Sequence, residues 1–245
     1  MNLLAIDTSS QFSVIGLQIG RQRMENVALS GRSHSRDILP NIVQLVQDAG
    51  ASLDDLDAIV FGKGPGSFTG LRITVGIVQG LGFGLNIPVI PVSTLACLAQ
   101  GEHRQSGATN ILVALSARQQ EVYFGAYRIE DSSPVLLGVE CVVDASEVPV
   151  QEPCDWIGIG DGWCFREQIE SALGCLVQRI NLEVKPQPQD LLDIGVVRMG
   201  RGETIAAMDA RPEYLREQVA TIPSKKVPSI NVPSKNVPSE NVSPK

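Results

Sequence analysis

Histidine is almost missing from this chain: its 245 residues include only His34 and His103. Neither has a second histidine three or four positions on, since Ile38 stands four after His34. A histidine metal pair on a helix is thereby excluded. A serine triad lacks a good base too, and no Gly-x-Ser-x-Gly is present to hold its nucleophile. Cysteine is sparse. Cys97, Cys141, Cys154, Cys164 and Cys175 are odd in number, and no two are spaced Cys-x-x-Cys. That argues against a disulfide framework or a zinc site, and for buried thiols in a reducing cytoplasm. Aromatic residues make up 4% against 43% hydrophobic overall, so aliphatic side chains must fill the core. Positive charge is short: 20 Lys plus Arg face 27 Asp plus Glu, a net charge of -7. Such a chain repels a phosphate backbone at long range, so contact with RNA is expected to be small, local or made by a partner.

The opening MNLLAIDTSS has neither a basic n-region nor a long apolar h-region, so no signal peptide is expected. Residues 73–101 carry no charge and are long enough to cross a bilayer. Gln79, Asn86, Pro88, Pro91 and four glycines interrupt them, and the stretch reads as a buried helix followed by a buried strand.

The length suits one large domain or two of about 100 residues. An apolar run at 3–7 ends in a carboxylate, and 13–19 and 24–29 follow as strands of a meander. Ile38, Leu39, Ile42, Val43, Leu45 and Val46 recur at helical spacing, with Ser33 or Ser35 as cap and Gly50 as stop. Pro40 would start or bend that helix. Further on, 57–62 reads as a buried strand, 71–84 as a helix, 88–92 as a strand and 94–100 as a short helix. The polar stretch 102–110, with His103 solvated in it, is taken as the domain boundary. Strands at 111–115, 121–128, 135–143 and 156–160 follow, then helices at 165–173 and 191–199. This divides the chain into 1–105, 106–220 and a tail from 221 that repeats VPSIN, VPSKN and VPSEN. Proline in every repeat and little apolar area predict a disordered tail.

Two loops could carry chemistry. Asp7-Thr8 follows the first strand directly, where a carboxylate could hold metal-bound water or simply cap its own turn. Gly64-x-Gly66-Ser67 lies between a strand and a helix, where backbone amides and the helix N-terminus could meet an anion. It is neither a Walker loop nor a dinucleotide fingerprint. Gly158-x-Gly160-Asp161-Gly162 is a weaker candidate for a second phosphate loop, and Arg118 and Glu121 read as charges at a turn. Within the following helix Gly76, Gly80 and Gly84 share one face, which suits close packing by another helix, internal or from a second subunit.

In order along the chain, LLAIDTSS, HSRDILP, FGKGPGSFTGLRITVGIVQGLGFGLNIPVIPVSTLA, SARQQEVYFGAY and PEYLREQVA resemble the TsaB (YeaZ) family over residues 1 to about 220. GPGSFTGLR is the most specific of these segments. The resemblance implies an α/β chain with a two-lobed actin-like (ASKHA) fold, its last helix possibly returning to the first lobe. It implies cytoplasmic work in making N6-threonylcarbamoyladenosine at adenosine 37 of tRNAs that read codons beginning with A. The implied role is a non-catalytic scaffold for the related catalytic subunit TsaD, joined by the ATPase TsaE and supplied with threonylcarbamoyl-adenylate by TsaC. Contact with tRNA would run through that complex, and a homodimer is a further implied state. No cofactor of the chain's own is implied, although ATP or ADP could sit at the complex interface.

Pairing in the family uses two helices, here about 35–48 and 70–84. That makes His34, Ile38, Leu39, Ile42, Leu71, Val75, Gly76, Gly80 and Gly84 the candidate interface. The catalytic relative carries a metal-binding H-x-x-x-H whose positions here are Thr94 and Leu98, neither a ligand for such a metal. This chain also departs from TsaB itself, with Ser116-Ala117-Arg118 where the family often shows Asp-Ala-Arg. A stand-alone actin-like ATPase, resting on Asp7 and the Gly64 loop, is the alternative. A peptidase would need a metal pair or triad base that the sequence does not supply.

Overall fold

The structure, a computed structural model, describes residues 1–29, 34–152 and 154–215, apart from the side chains of 34 and 35. The repeat tail lies outside the described residues. Two five-stranded sheets organise the chain. The first contains β1 (Leu3–Asp7), β2 (Phe12–Ile19), β3 (Gln22–Leu29), β4 (Ala58–Gly64) and β5 (Val89–Ser93), ordered β3-β2-β1-β4-β5. The second contains β6 (Asn110–Ser116), β7 (Glu121–Glu130), β8 (Ser133–Asp144), β9 (Ile157–Ile159) and β10 (Arg179–Asn181), ordered β10-β9-β6-β7-β8. Counted from its own first strand, the second sheet repeats the first: an antiparallel meander of three strands, then two strands parallel to the first. That duplication is the two-lobed actin-like fold.

Among the described residues five helices fill the layers: α1 (His34–Asp48), α2 (Phe68–Leu85), α3 (Thr94–Ser106), α4 (Arg166–Leu173) and α5 (Pro188–Gly200). Of the six apolar residues at helical spacing, helix α1 buries Ile38, Ile42, Leu45 and Val46 and leaves Leu39 and Val43 exposed. Pro40 neither starts nor stops it: α1 runs from His34 through Pro40, which faces solvent where a missing N–H costs least. Helix α2 packs on the same sheet face through Val75 and Val78. By length and composition it could cross a membrane. Ser67 caps its start, Asn86 ends it in a left-handed turn (φ 54°), and β5 then joins the sheet, as the sequence suggests.

The sequence differs from the structure most at α3. Of the polar stretch 102–110, residues 102–106 form the end of this helix, which continues to Ser106 and stops at Gly107 (φ 74°). The boundary set at 105/106 therefore lies in its last turn. His103 is not a solvated linker residue; its Nδ1 is 2.9 Å from the Ala108 carbonyl oxygen. One hydrophobic cluster runs through this helix, joining Leu3, Val60 and Ile90 of the first sheet to Ile111, Val113 and Ile159 of the second. Helix α5 packs over the first sheet, with Leu191, Leu192 and Ile194 in the same cluster.

Candidate functional site

The β1–β2 turn and the β4–α2 loop are pressed together at the mouth of the cleft between the sheets. Thr8 N–H donates to Thr74 Oγ1 (3.0 Å), and Thr8 Oγ1 donates to the Gly70 carbonyl (2.7 Å). Ser67 N–H donates to the Ser9 carbonyl (2.6 Å), and Gly70 N–H donates to Ser67 Oγ (3.3 Å). Asp7, Thr8, Gly64, Gly66 and Ser67 are thus brought together as the sequence suggests, but they serve one another. The Ser67 and Gly70 amides of this loop already have acceptors, and Thr8 is buried. Glycine is required where the backbones touch. A Cβ on Gly66 would lie 2.5 Å from the Ser9 carbonyl oxygen, and one on Gly62 2.3 Å from Asp7.

Asp7 is 1% exposed. Its Oδ1 accepts from Ser9 N–H (2.6 Å), while Oδ2 has no partner among the described residues. Burial raises its pKa, partly offset by the Ser9 hydrogen bonds. An unfolded Asp ionises near pH 4. Between that pH and its own raised pKa the folded state holds the extra proton, so stability is full below about pH 4 and falls as pH rises through this window. Asp7→Asn keeps the Oδ1 acceptor and removes the buried charge. Thermal melts from pH 4 to 8 should show the variant less pH-sensitive and at least as stable as wild type at pH 7. A variant that melts well below wild type at pH 7 would mean the ionised carboxylate has an unassigned stabilising role.

The cleft has a volume of about 530 Å³ and is lined by Ser9, Pro65, Gly66, Thr94, Leu98, Ser116, Asp161 and Lys185 among others. Thr94 and Leu98 lie on this wall, and the Thr94 and Ser9 hydroxyls are 3.2 Å apart. Among the described residues no group of three or more His, Cys, Asp or Glu is placed to hold a metal. The Gly158–Gly162 loop faces the first loop across the cleft. It is spent on packing: Asp161 Oδ1 accepts from Ser116 N–H (2.9 Å), and a Cβ on Gly160 would meet the Ala114 carbonyl oxygen at 2.2 Å. Arg118 is exposed at the β6–β7 turn, as the sequence suggests, and lines a second cavity of about 200 Å³ with Phe68, Leu71, Tyr123 and Tyr214.

The candidate pairing residues divide in two. Ile38, Ile42, Leu71 and Val75 are buried in the chain's own core and are not available to a partner, a correction to the sequence reading. Leu39 faces outward, as do Gly76, Gly80 and Gly84, and His34 opens α1. A Cβ on any of these three glycines would meet nothing within 4 Å. No described helix packs on that stripe. Val43 and Phe83, the latter 71% exposed, are outward residues of these helices that the sequence reading does not place in the interface. Their signal was available: each sits three or four residues from an outward position on its helix.

A protein-family model described as "TsaD: tRNA N6-adenosine threonylcarbamoyltransferase" matches residues 28–223. The "tRNA threonylcarbamoyladenosine biosynthesis protein TsaB" of Escherichia coli (strain K12) is 36% identical, covering 92% of this chain and 100% of that protein. The protein of the same name from Haemophilus influenzae is 32% identical, covering 89% and 95%. The solved structure "YeaZ from Pseudomonas aeruginosa" superposes with a TM-score of 0.81 at 37% identity, covering 87% of this chain and 99% of that one. Coverage is high in both directions, so the likeness is between whole chains rather than single lobes.

Proposed function

The chain belongs to the TsaB (YeaZ) family, whose members serve tRNA threonylcarbamoyladenosine biosynthesis, and we propose that within this process it is a non-catalytic subunit that pairs with a TsaD-type transferase. The observation that carries the reading is the uncovered glycine stripe of α2, with exposed Phe83 on the same helix, while α1 exposes Leu39 and Val43. Glycine in a helix interior costs about 1 kcal/mol relative to alanine. Three on one exposed face weaken the isolated chain, and a helix packed closely over them restores the lost contacts. The Ser67 and Gly70 amides, bonded within their own chain, support a non-catalytic role. So do Thr94 and Leu98, which offer a hydroxyl and an isobutyl group where the transferase has histidines.

On this reading the chain works in the cytoplasm, and the ATPase TsaE joins the pair. The tRNA is engaged through the complex, ATP or ADP can occupy the subunit interface, and a homodimer uses the same face when the partner is absent. Reconstitution tests the proposal. Threonylcarbamoyl transfer to tRNA is measured with the TsaD-type partner, TsaE, TsaC and ATP, with and without this chain. Omission is expected to reduce transfer to background, and the chain alone should neither transfer nor hydrolyse ATP. ATP hydrolysis by the purified chain that is lost in Asp7→Asn would overturn the proposal in favour of a stand-alone ATPase.

A further inference from the structure

Helix α3 takes part in two ion pairs, each with a buried carboxylate and a partly exposed arginine, that the pairing role does not use. Glu102 is 2% exposed and reaches the second sheet: Arg179 of β10 donates to its Oε1, and Asn181 Nδ2 donates to its Oε2 at 3.2 Å. Two residues on, Arg104 turns to the first lobe. Its Nε and Nη2 donate to Oδ1 and Oδ2 of Asp190 in α5, at 2.7 and 3.3 Å. Asp190 is fully buried, and glycine at 101 makes room for it: a Cβ there would lie 2.8 Å from Asp190 Oδ2. The same helix sits in the hydrophobic cluster that spans both sheets.

We propose that α3 is a latch that fixes the angle between the lobes, with Glu102 gripping the second sheet and Arg104 gripping α5 on the first, so that the cleft is held at one opening. Rotation of the lobes would shear a continuous close-packed core, which has discrete rather than graded arrangements. It would also strand a buried carboxylate on one side or the other, and an unpaired buried charge is strongly disfavoured. The inference is independent of pairing: a chain with no partner would be latched just the same.

Spin labels carried on p-acetylphenylalanine at Arg21 and Glu147, exposed positions in different lobes, report the inter-lobe distance by pulsed electron resonance. Wild type is expected to give one distance, unchanged by magnesium-ATP. Arg104→Gln combined with Arg179→Gln is expected to add a second, longer distance while circular dichroism stays native. Two distances in the wild type, or a folded double variant that keeps the single wild-type distance, overturn the proposal. If the double variant does not fold, Arg179→Gln alone removes the half-exposed partner of Glu102 and is judged the same way: a second distance supports the latch, a single one overturns it.

Discussion

Gly80→Arg is expected to abolish association with the TsaD-type partner while making the isolated chain slightly more stable. The two effects have separate causes. Gly80 is exposed, and a Cβ there meets nothing within 4 Å, so the folded monomer accommodates the arginine. Replacing an interior helix glycine with a good helix former gains up to about 1 kcal/mol, or roughly 2–4 °C in Tm for a chain of this size. At a closely packed helix-helix interface the same side chain imposes overlap and an unpaired buried charge, together about 3 kcal/mol or more. That corresponds to a loss in affinity of more than about 100-fold. Size-exclusion chromatography with light scattering reads the complex, and a thermal melt reads the fold. A variant that pairs normally would move the interface off this stripe. A variant that loses pairing only because it unfolds would show a lowered Tm instead.

Much of this arrangement is legible in the sequence, for identifiable reasons. Ile38, Leu39, Ile42, Val43, Leu45 and Val46 repeat at helical spacing, which gives the helix, and all but Leu39 and Val43 are buried. The 64–70 segment reads as a strand-to-helix loop because apolar run, glycines and capping serine come in that order. What spacing does not reveal is which face of a helix meets its own sheet and which meets a partner. Ile38 and Gly76 were therefore grouped as interface, although one is buried and the other bare. Buried charges are harder still. Glu102 and Arg104 look like a solvated linker until their partners Arg179 and Asp190, 77 and 86 residues away, are in place. Strand β10 is three residues long, too short for any period to show. The duplicated strand order is hidden as well: the link between β8 and β9 has only a short 3-10 turn where the first lobe has α1.

The same substitution should have opposite effects at two glycines of α2. A Cβ on Gly70 would lie 1.8 Å from the Thr8 carbonyl oxygen, an overlap with backbone that no rotamer change relieves. Gly70→Ala must push the β1–β2 turn away and weaken the Thr8 bonds to Gly70 and Thr74 that hold it. A cost of about 3–4 kcal/mol is expected, at the severe end for one added methyl group, or roughly a 10 °C fall in Tm. Gly76→Ala adds the methyl to open surface and should raise Tm by about 2–4 °C, since only helix propensity changes. Mixed with the partner, Gly76→Ala should weaken pairing despite its stability, because the bare stripe is what a second helix approaches. Melts that move the same way for both variants would remove the distinction drawn here. Opposite signs would establish that one helix carries glycine for two purposes: at 70 to let its own chain close over the loop, and at 76 to keep a surface clear for another chain.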